Sequence, residues 1–117
     1  MYDHLTLRVG DFTRSLAFYK AVLAPLGIEL RVEDGESAAF GQRPSFLLTS
    51  RRAPTANFHV AFSATDTASV DAFHAAALEN GGTDNGAPGI RADYAPNYYA
   101  AFAFDPDGNN IEAVCMT

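Results

Sequence analysis

The sequence has little of what several protein classes require. Cys115 is its one cysteine, so an intrachain disulfide is excluded and a reducing, cytoplasmic setting is expected. No stretch approaches the roughly 18 continuous apolar residues of a membrane span, and the first residues predict no signal peptide. The formal net charge is −6 and Lys and Arg form no run, which disfavours nucleic acid and anionic membrane as partners.

Several catalytic signatures are also missing. There is no Gly-x-Ser-x-Gly, no Walker-type Gly-Lys-Ser/Thr, no Cys-x-x-Cys and no dinucleotide fingerprint. What is present is a chain of 117 residues, 48% of them hydrophobic, which suits one compact domain but not two independent ones. We therefore expect a single domain over residues 1–117.

The chain contains an internal repeat. Its first half predicts a strand at 2–9, a helix capped by Asp11 that ends near Gly27, and short strands at about 28–33, 37–42 and 45–49. After a polar link the order restarts, and an offset of 55 residues aligns His4 with His59, Asp11 with Asp66 and Gly27 with Gly82. These matches predict two βαβββ modules, at about 1–50 and 57–117, joined by a link at about 51–56.

The second half has two distinctive segments. Residues 86–97 combine two Gly and two Pro with polar residues, which predicts an irregular lid or binding loop. Residues 105–110 form a Pro/Gly/Asx turn between two strand-like runs, and the second run carries one carboxylate, Glu112. A carboxylate in a buried strand requires a metal, a cation or strong hydrogen-bond donors.

His4, His59 and Glu112 form a candidate metal site. The repeat puts the two histidines at equivalent positions, so a pseudo-twofold relation would make them face each other. Two imidazoles and a carboxylate can bind a divalent transition metal and leave positions free for substrate. Alternatively, the histidines pack in the core or bond to a backbone carbonyl, and an arginine such as Arg8 pairs with Glu112.

The chain resembles the vicinal oxygen chelate superfamily, which includes glyoxalase I, bleomycin- and fosfomycin-resistance proteins and extradiol dioxygenases. The matching stretches are residues 4–11, 15–19 with 26–27, 59–62 and 105–112, in the family's order. The resemblance implies an α+β fold in which two modules form a cupped eight-stranded mixed sheet, with helices outside and a metal held by His4, His59 and Glu112. It also implies a homodimer, sometimes with exchanged modules.

One departure from the family pattern concerns the fourth metal ligand. In metal enzymes of the glyoxalase type, the last strand of the first module usually supplies it. Residues 45–49 contain no carboxylate, histidine or glutamine. The remaining set of two histidines and one glutamate is more similar to the iron site of extradiol dioxygenases.

Further candidates surround these three residues. Thr6 and Arg8 share strand parity with His4 and would bind substrate, and Arg91 in the long loop would close over it. Tyr94 and Tyr98 could supply a hydroxyl to the substrate or to a metal-bound oxygen, and Glu112 is the candidate catalytic base. These tyrosines could equally be packing residues, and the arginines solvated.

Two functions follow. The first is a metal-dependent enzyme that uses Fe, Zn, Ni or Mn to chelate a small oxygenated substrate, with lyase, isomerase or dioxygenase chemistry. The second is a metal-free protein that sequesters a drug or metabolite in an apolar cup. The aromatic residues available to line such a cup are Phe40, Phe46, Phe62, Phe102 and Phe104.

Overall fold

The secondary structure repeats once along the chain. The computed structural model describes residues 1–117. Module one comprises β1 (Leu5–Arg8), α1 (Phe12–Leu23), β2 (Leu30–Glu33), β3 (Ser37–Phe40) and β4 (Phe46–Thr49), with a 3-10 turn at Ala24–Leu26. Module two comprises β5 (His59–Ser63), α2 (Thr67–Glu79), β6 (Thr83–Ile90), β7 (Tyr98–Phe104) and β8 (Asn110–Met116). The α+β class and the two βαβββ modules predicted from the sequence are confirmed.

Both helices begin as their sequences predict. The Asp11 carboxylate accepts a hydrogen bond from the Arg14 backbone N–H at 3.0 Å, and the Asp66 carboxylate accepts one from Ser69 at 2.8 Å. Each carboxylate thereby satisfies an N–H that has no partner within its helix. Neither helix is long and apolar enough to cross a membrane.

The strands form two four-stranded sheets, in the orders β1-β4-β3-β2 and β5-β8-β7-β6. In each sheet the first pair is parallel and the others are antiparallel. No ladder joins β1 to β5, so the eight strands do not make one continuous sheet. The link lies against the end of β1, where the Thr55 N–H donates to the Arg8 carbonyl at 2.8 Å.

A shared core joins the modules. Twenty buried residues form one cluster from both halves, and Phe46 of module one meets Phe62 of module two with ring centroids 5.2 Å apart. The two helices also contact each other. Phe40, predicted to line a cup, is fully buried in this core instead. Phe46 and Phe62 belong to the core and also line a cleft beside His4, as the prediction had them.

The 105–110 turn is anchored to module one. The Asp105 carboxylate is 4% exposed and accepts hydrogen bonds from the Asn109 N–H at 2.8 Å and the Tyr19 hydroxyl at 2.6 Å. Burial, followed by the neighbouring Asp105 charge, raises the pKa of Tyr19 well above its ordinary value. Gly108 supplies the positive φ of 86° that the turn requires. This network fixes where β8 begins, and therefore where Glu112 lies.

The predicted irregular segment is partly a strand. Residues 83–90 form β6, which pairs with β7, although the sequence predicted no regular structure from residue 86 onward. The pairing register shifts between Asp84 and Gly86 and again between Gly86 and Gly89. These irregularities accommodate Pro88, which has no N–H to donate to a ladder.

Candidate functional site

Glu112 is the buried charge of the candidate site. It lies on β8 opposite Ala61 of β5 and Phe102 of β7, and it is 2% exposed. The Tyr98 hydroxyl donates to its Oε2, and His59 Nε2 lies 3.1 Å from its Oε1. The prediction that Glu112 is buried and needs strong partners is confirmed, and these partners are not arginines.

Both ring nitrogens of His59 have a partner. Its Nδ1 lies 3.1 Å from the Asn110 carbonyl oxygen, which accepts hydrogen bonds and donates none. Nδ1 therefore carries a proton. Because two acceptors do not bind each other, Nε2 at 3.1 Å from the carboxylate either donates to Oε1 or shares a metal ion with it.

The spacing of His59 and Glu112 suits metal binding. Two ligand atoms about 2.1 Å from a metal and at right angles to each other are about 3 Å apart, close to the 3.1 Å from Nε2 to Oε1. Metal-binding histidines usually donate their other N–H to a carbonyl or carboxylate, as His59 does to Asn110. This pair therefore fits as two ligands of one ion.

His4 lies across a cavity from this pair. It precedes β1 and is exposed, and its Nδ1 lies 2.9 Å from an Asp3 carboxylate oxygen. His4 and His59 both line a cavity of about 460 Å³ between the edges of β1 and β5. No three His, Cys, Asp or Glu side chains are close enough together to hold a metal ion. The chain thus presents two adjacent candidate ligands, His59 and Glu112, and a third candidate, His4, on the wall of the cavity that His59 lines.

Asp3 orients His4. The carboxylate also accepts a hydrogen bond from Arg43, and the hydrogen bonds from His4 and then Arg43 lower the pKa of Asp3. An ionised Asp3 favours the proton on His4 Nδ1 and leaves Nε2 free to bind a metal. Both histidines therefore have the same arrangement: Nδ1 held by an oxygen, and Nε2 free of backbone partners.

Leu47 occupies the position equivalent to Glu112. Thr6 pairs with Leu47 in module one, as Ala61 pairs with Glu112 in module two. Because Thr6 and Ala61 are equivalent under the 55-residue offset, Leu47 stands where a fourth ligand would come from β4. The side chain at that position is apolar and supplies no ligand atom.

The remaining predicted site residues lie in different places. Thr6 lines a second cavity, of about 340 Å³, on module one, with Leu47 and Thr49 on its wall. Arg8 is exposed and forms no ion pair. Arg91 and Tyr94 line a third cavity, of about 310 Å³, on module two. Tyr94 also packs edge-on against Tyr98, with ring centroids 5.0 Å apart.

Phe102 and Asn110 also contact His59. Phe102 was predicted only as a residue available to line an apolar cup, and Asn110 was not predicted as a site residue. Phe102 stacks on His59 at 6.2 Å with an interplanar angle of 19°. Asn110 holds His59 through its backbone carbonyl, and its side-chain oxygen accepts a hydrogen bond from Asn85 at 3.2 Å. The alternation of β7 and β8 could have placed both beside Glu112, but their partners depend on how the strands pair.

The comparisons with known proteins agree with this architecture. A profile of the "Glyoxalase/Bleomycin resistance protein/Dioxygenase superfamily" matches residues 2–113. A glyoxalase/bleomycin resistance protein from Albidiferax ferrireducens T118 superposes with a TM-score of 0.87 and 33% identity, over 97% of this chain and 98% of that one. No curated protein matches the sequence significantly.

Two further solved structures carry enzyme names. Lactoylglutathione lyase from Agrobacterium tumefaciens superposes with a TM-score of 0.71 and 21% identity, over 97% of this chain and 92% of that one, and shows the fold alone. A mutant glyoxalase I from Zea mays gives a TM-score of 0.70 and 25% identity, over 95% of this chain and 45% of that one. The profile match and the 33% identical structure establish that the chain belongs to the glyoxalase/bleomycin resistance protein/dioxygenase superfamily.

Proposed function

We propose that the protein is a metal-dependent enzyme that uses His4, His59 and Glu112 to bind a divalent Fe, Zn, Ni or Mn ion. The observation that carries the proposal is that both histidines line one cavity and that each has its Nδ1 bound to an oxygen. Asp3 and Asn110 hold the Nδ1 atoms, which leaves each Nε2 as the ligand atom, and one of these lies 3.1 Å from the buried Glu112. His4 would move toward His59 when the ion binds.

The bound ion would supply Lewis acidity to a small substrate with two adjacent oxygens. Glu112 would double as the base through Oε1 if that oxygen loosens from the ion, because Oε2 is held by Tyr98. Burial, followed by the hydrogen bond to Glu112, raises the pKa of Tyr98 to about 12. Tyr98 therefore keeps its proton near neutral pH and orients the carboxylate. This favours proton-transfer chemistry of the lyase or isomerase type, with dioxygenase chemistry as the alternative for iron.

We propose that the protein forms a homodimer that covers the edges of β1 and β5. β1 and β5 are edge strands whose outer sides pair with no other strand. Such edges are normally covered, and a second copy could cover the cavity between them. The cavity would then exclude water from a bound substrate.

A metal-free binding function is the second candidate, and Leu47 favours it. An apolar side chain at the position equivalent to Glu112 makes module one's half of the site better suited to hydrocarbon than to an ion. In that case the His59–Glu112 pair would be an ion pair that serves stability alone.

Metal affinity separates these two functions. Protein purified without an affinity tag is titrated with Zn²⁺ and Ni²⁺, together with its His4→Ala, His59→Ala and Glu112→Gln variants. Each substitution should weaken binding at least about tenfold, because each removes a ligand. Arg52→Gln, in the exposed link, is the matched control and should bind as the wild type does. Equal affinity in all five proteins would refute the metal site.

A further inference from the structure

Arg91 is a fixed cation without an acidic partner. None of the chain's ion pairs involves it. Its Nη1 donates to the Gly89 carbonyl at 3.1 Å and its Nη2 to the Ala87 carbonyl at 2.6 Å, which leaves three of its five N–H groups without a protein acceptor. The half-buried guanidinium is therefore held in place with donors to spare.

The backbone of β6 makes room for this guanidinium. A Cβ on Gly86 would lie 3.1 Å from Arg91 Nη2 and 3.1 Å from a Phe102 ring carbon, and a Cβ on Gly89 would lie 3.3 Å from Nη1. Gly86 also has a φ of +147°, which other residues rarely adopt. Two glycines at the register shifts of β6 thus let the arginine lie close against the strand.

The guanidinium also lies beside the candidate metal ligands. Arg91 Cζ is 5.3 Å from the centroid of the Phe102 ring, and His59 stacks on the same ring. Phe102 thus contacts both the guanidinium and the imidazole. Asn110 is common to both, since it contacts His59 and also lines the cavity of Arg91.

The cavity around Arg91 has further polar groups. It measures about 310 Å³ and is lined by Asn85, Gly86, Arg91, Tyr94, Phe102 and Asn110. The Asn85 amide and the Tyr94 hydroxyl can donate hydrogen bonds to an anion, and no carboxylate lines the cavity. In a chain with a net charge of −6, this polar cavity has a cation at its centre.

We propose that Arg91 binds a carboxylate of the substrate, with Asn85 and Tyr94 as additional donors. A planar guanidinium with free N–H groups matches a carboxylate in shape as well as charge. The substrate is therefore an organic acid whose carboxylate lies apart from its chelating oxygens, because Arg91 and His59 contact the same Phe102 ring but line different cavities. This inference rests on the proposed function for the identity of the substrate, but the anion site itself exists without a metal.

The test uses metal-free protein, so that it does not depend on the metal proposal. Glutarate, its neutral counterpart glutaramide and inorganic phosphate are titrated while NMR follows the Arg91 Nε–H and Asn85 amide signals. Glutarate should bind saturably and shift both signals, and glutaramide should bind at least about tenfold more weakly. Absence of saturable glutarate binding, or tighter binding of phosphate, would overturn the carboxylate assignment.

Two variants and a control locate the site. Arg91→Gln should weaken glutarate binding at least about tenfold, whereas Arg52→Gln, which removes the same charge from the exposed link, should not change it. Gly86→Ala keeps the net charge but displaces the guanidinium, so it should also weaken binding. Unchanged glutarate affinity in Arg91→Gln would refute the proposal. If glutarate binds as predicted while His4→Ala, His59→Ala and Glu112→Gln all leave metal affinity unchanged, the proposed function fails and the anion site stands.

Discussion

Replacement of Tyr98 by phenylalanine tests how Glu112 is held. The substitution removes the hydroxyl that donates to Oε2 and keeps the ring, which packs against Tyr94. Glu112 is 2% exposed, so water does not replace the lost donor, and His59 remains as its other partner. A hydrogen bond to a charged group contributes about 1.5–3 kcal/mol. We expect the free energy of unfolding to fall by about 2 kcal/mol.

Urea unfolding followed by circular dichroism measures this change, with the midpoint lowered and the slope unchanged. Tyr99→Phe is the matched control, because the neighbouring hydroxyl donates at 2.6 Å to Asp71 in an exposed position and its loss should matter much less. A double-mutant cycle with Glu112→Gln should show a coupling energy within the range of about 0.5–3 kcal/mol found for residues in contact. If Tyr98→Phe costs no more than Tyr99→Phe, or the cycle shows no coupling, the account of this buried carboxylate is refuted.

Three further predictions follow from the same contacts. Because the pKa of Tyr98 is raised from 10.0 to about 12 in the folded protein, its contribution to stability should be complete below pH 10 and be lost as the pH rises toward 12. Tyr98→Phe should remove that part of the alkaline decline in urea unfolding. Leu47→Glu places a carboxylate at the position equivalent to Glu112 and should raise Zn²⁺ affinity about tenfold or more; unchanged affinity would contradict the equivalence. Tyr19→Phe removes a donor from the buried Asp105 and should lower the free energy of unfolding by about 2 kcal/mol; an unchanged urea midpoint would contradict this role.

The internal repeat of the sequence predicted most of the fold. Strand alternation, two capping aspartates and an offset of 55 residues predicted two βαβββ modules, because these signals are local and occur twice. The break between the sheets was not predictable in this way. It depends on whether strands of different modules pair, which signals within each module do not encode. The glycines and Pro88 of β6 suggested a loop, since local propensity does not reveal that register shifts can absorb them.

The candidate site was predictable in its residue types but not in its contacts. The burial of Glu112 followed from its position in an apolar strand, and that prediction is confirmed. The partners of His59 Nδ1 and of Glu112 Oε2 come from strand register, which fixes which side chains meet across β7 and β8. The position of Arg91 was likewise not predictable, because it depends on contacts with Gly86 and Phe102, which lie on different strands. The joint role of His4, His59 and Glu112 in metal binding remains a prediction.

The most direct test of that prediction is the NMR spectrum of the protein titrated with Co²⁺ in water. Paramagnetic Co²⁺ shifts the N–H protons of bound imidazoles far from the rest of the spectrum. If His4 and His59 bind through Nε2, two exchangeable shifted signals should appear, one from each Nδ1–H that Asp3 or Asn110 holds. His4→Ala and His59→Ala should each remove one signal, whereas His74→Asn, on α2 and paired with Asp84, should retain both. No shifted signals, or signals that survive both substitutions, would contradict the metal site.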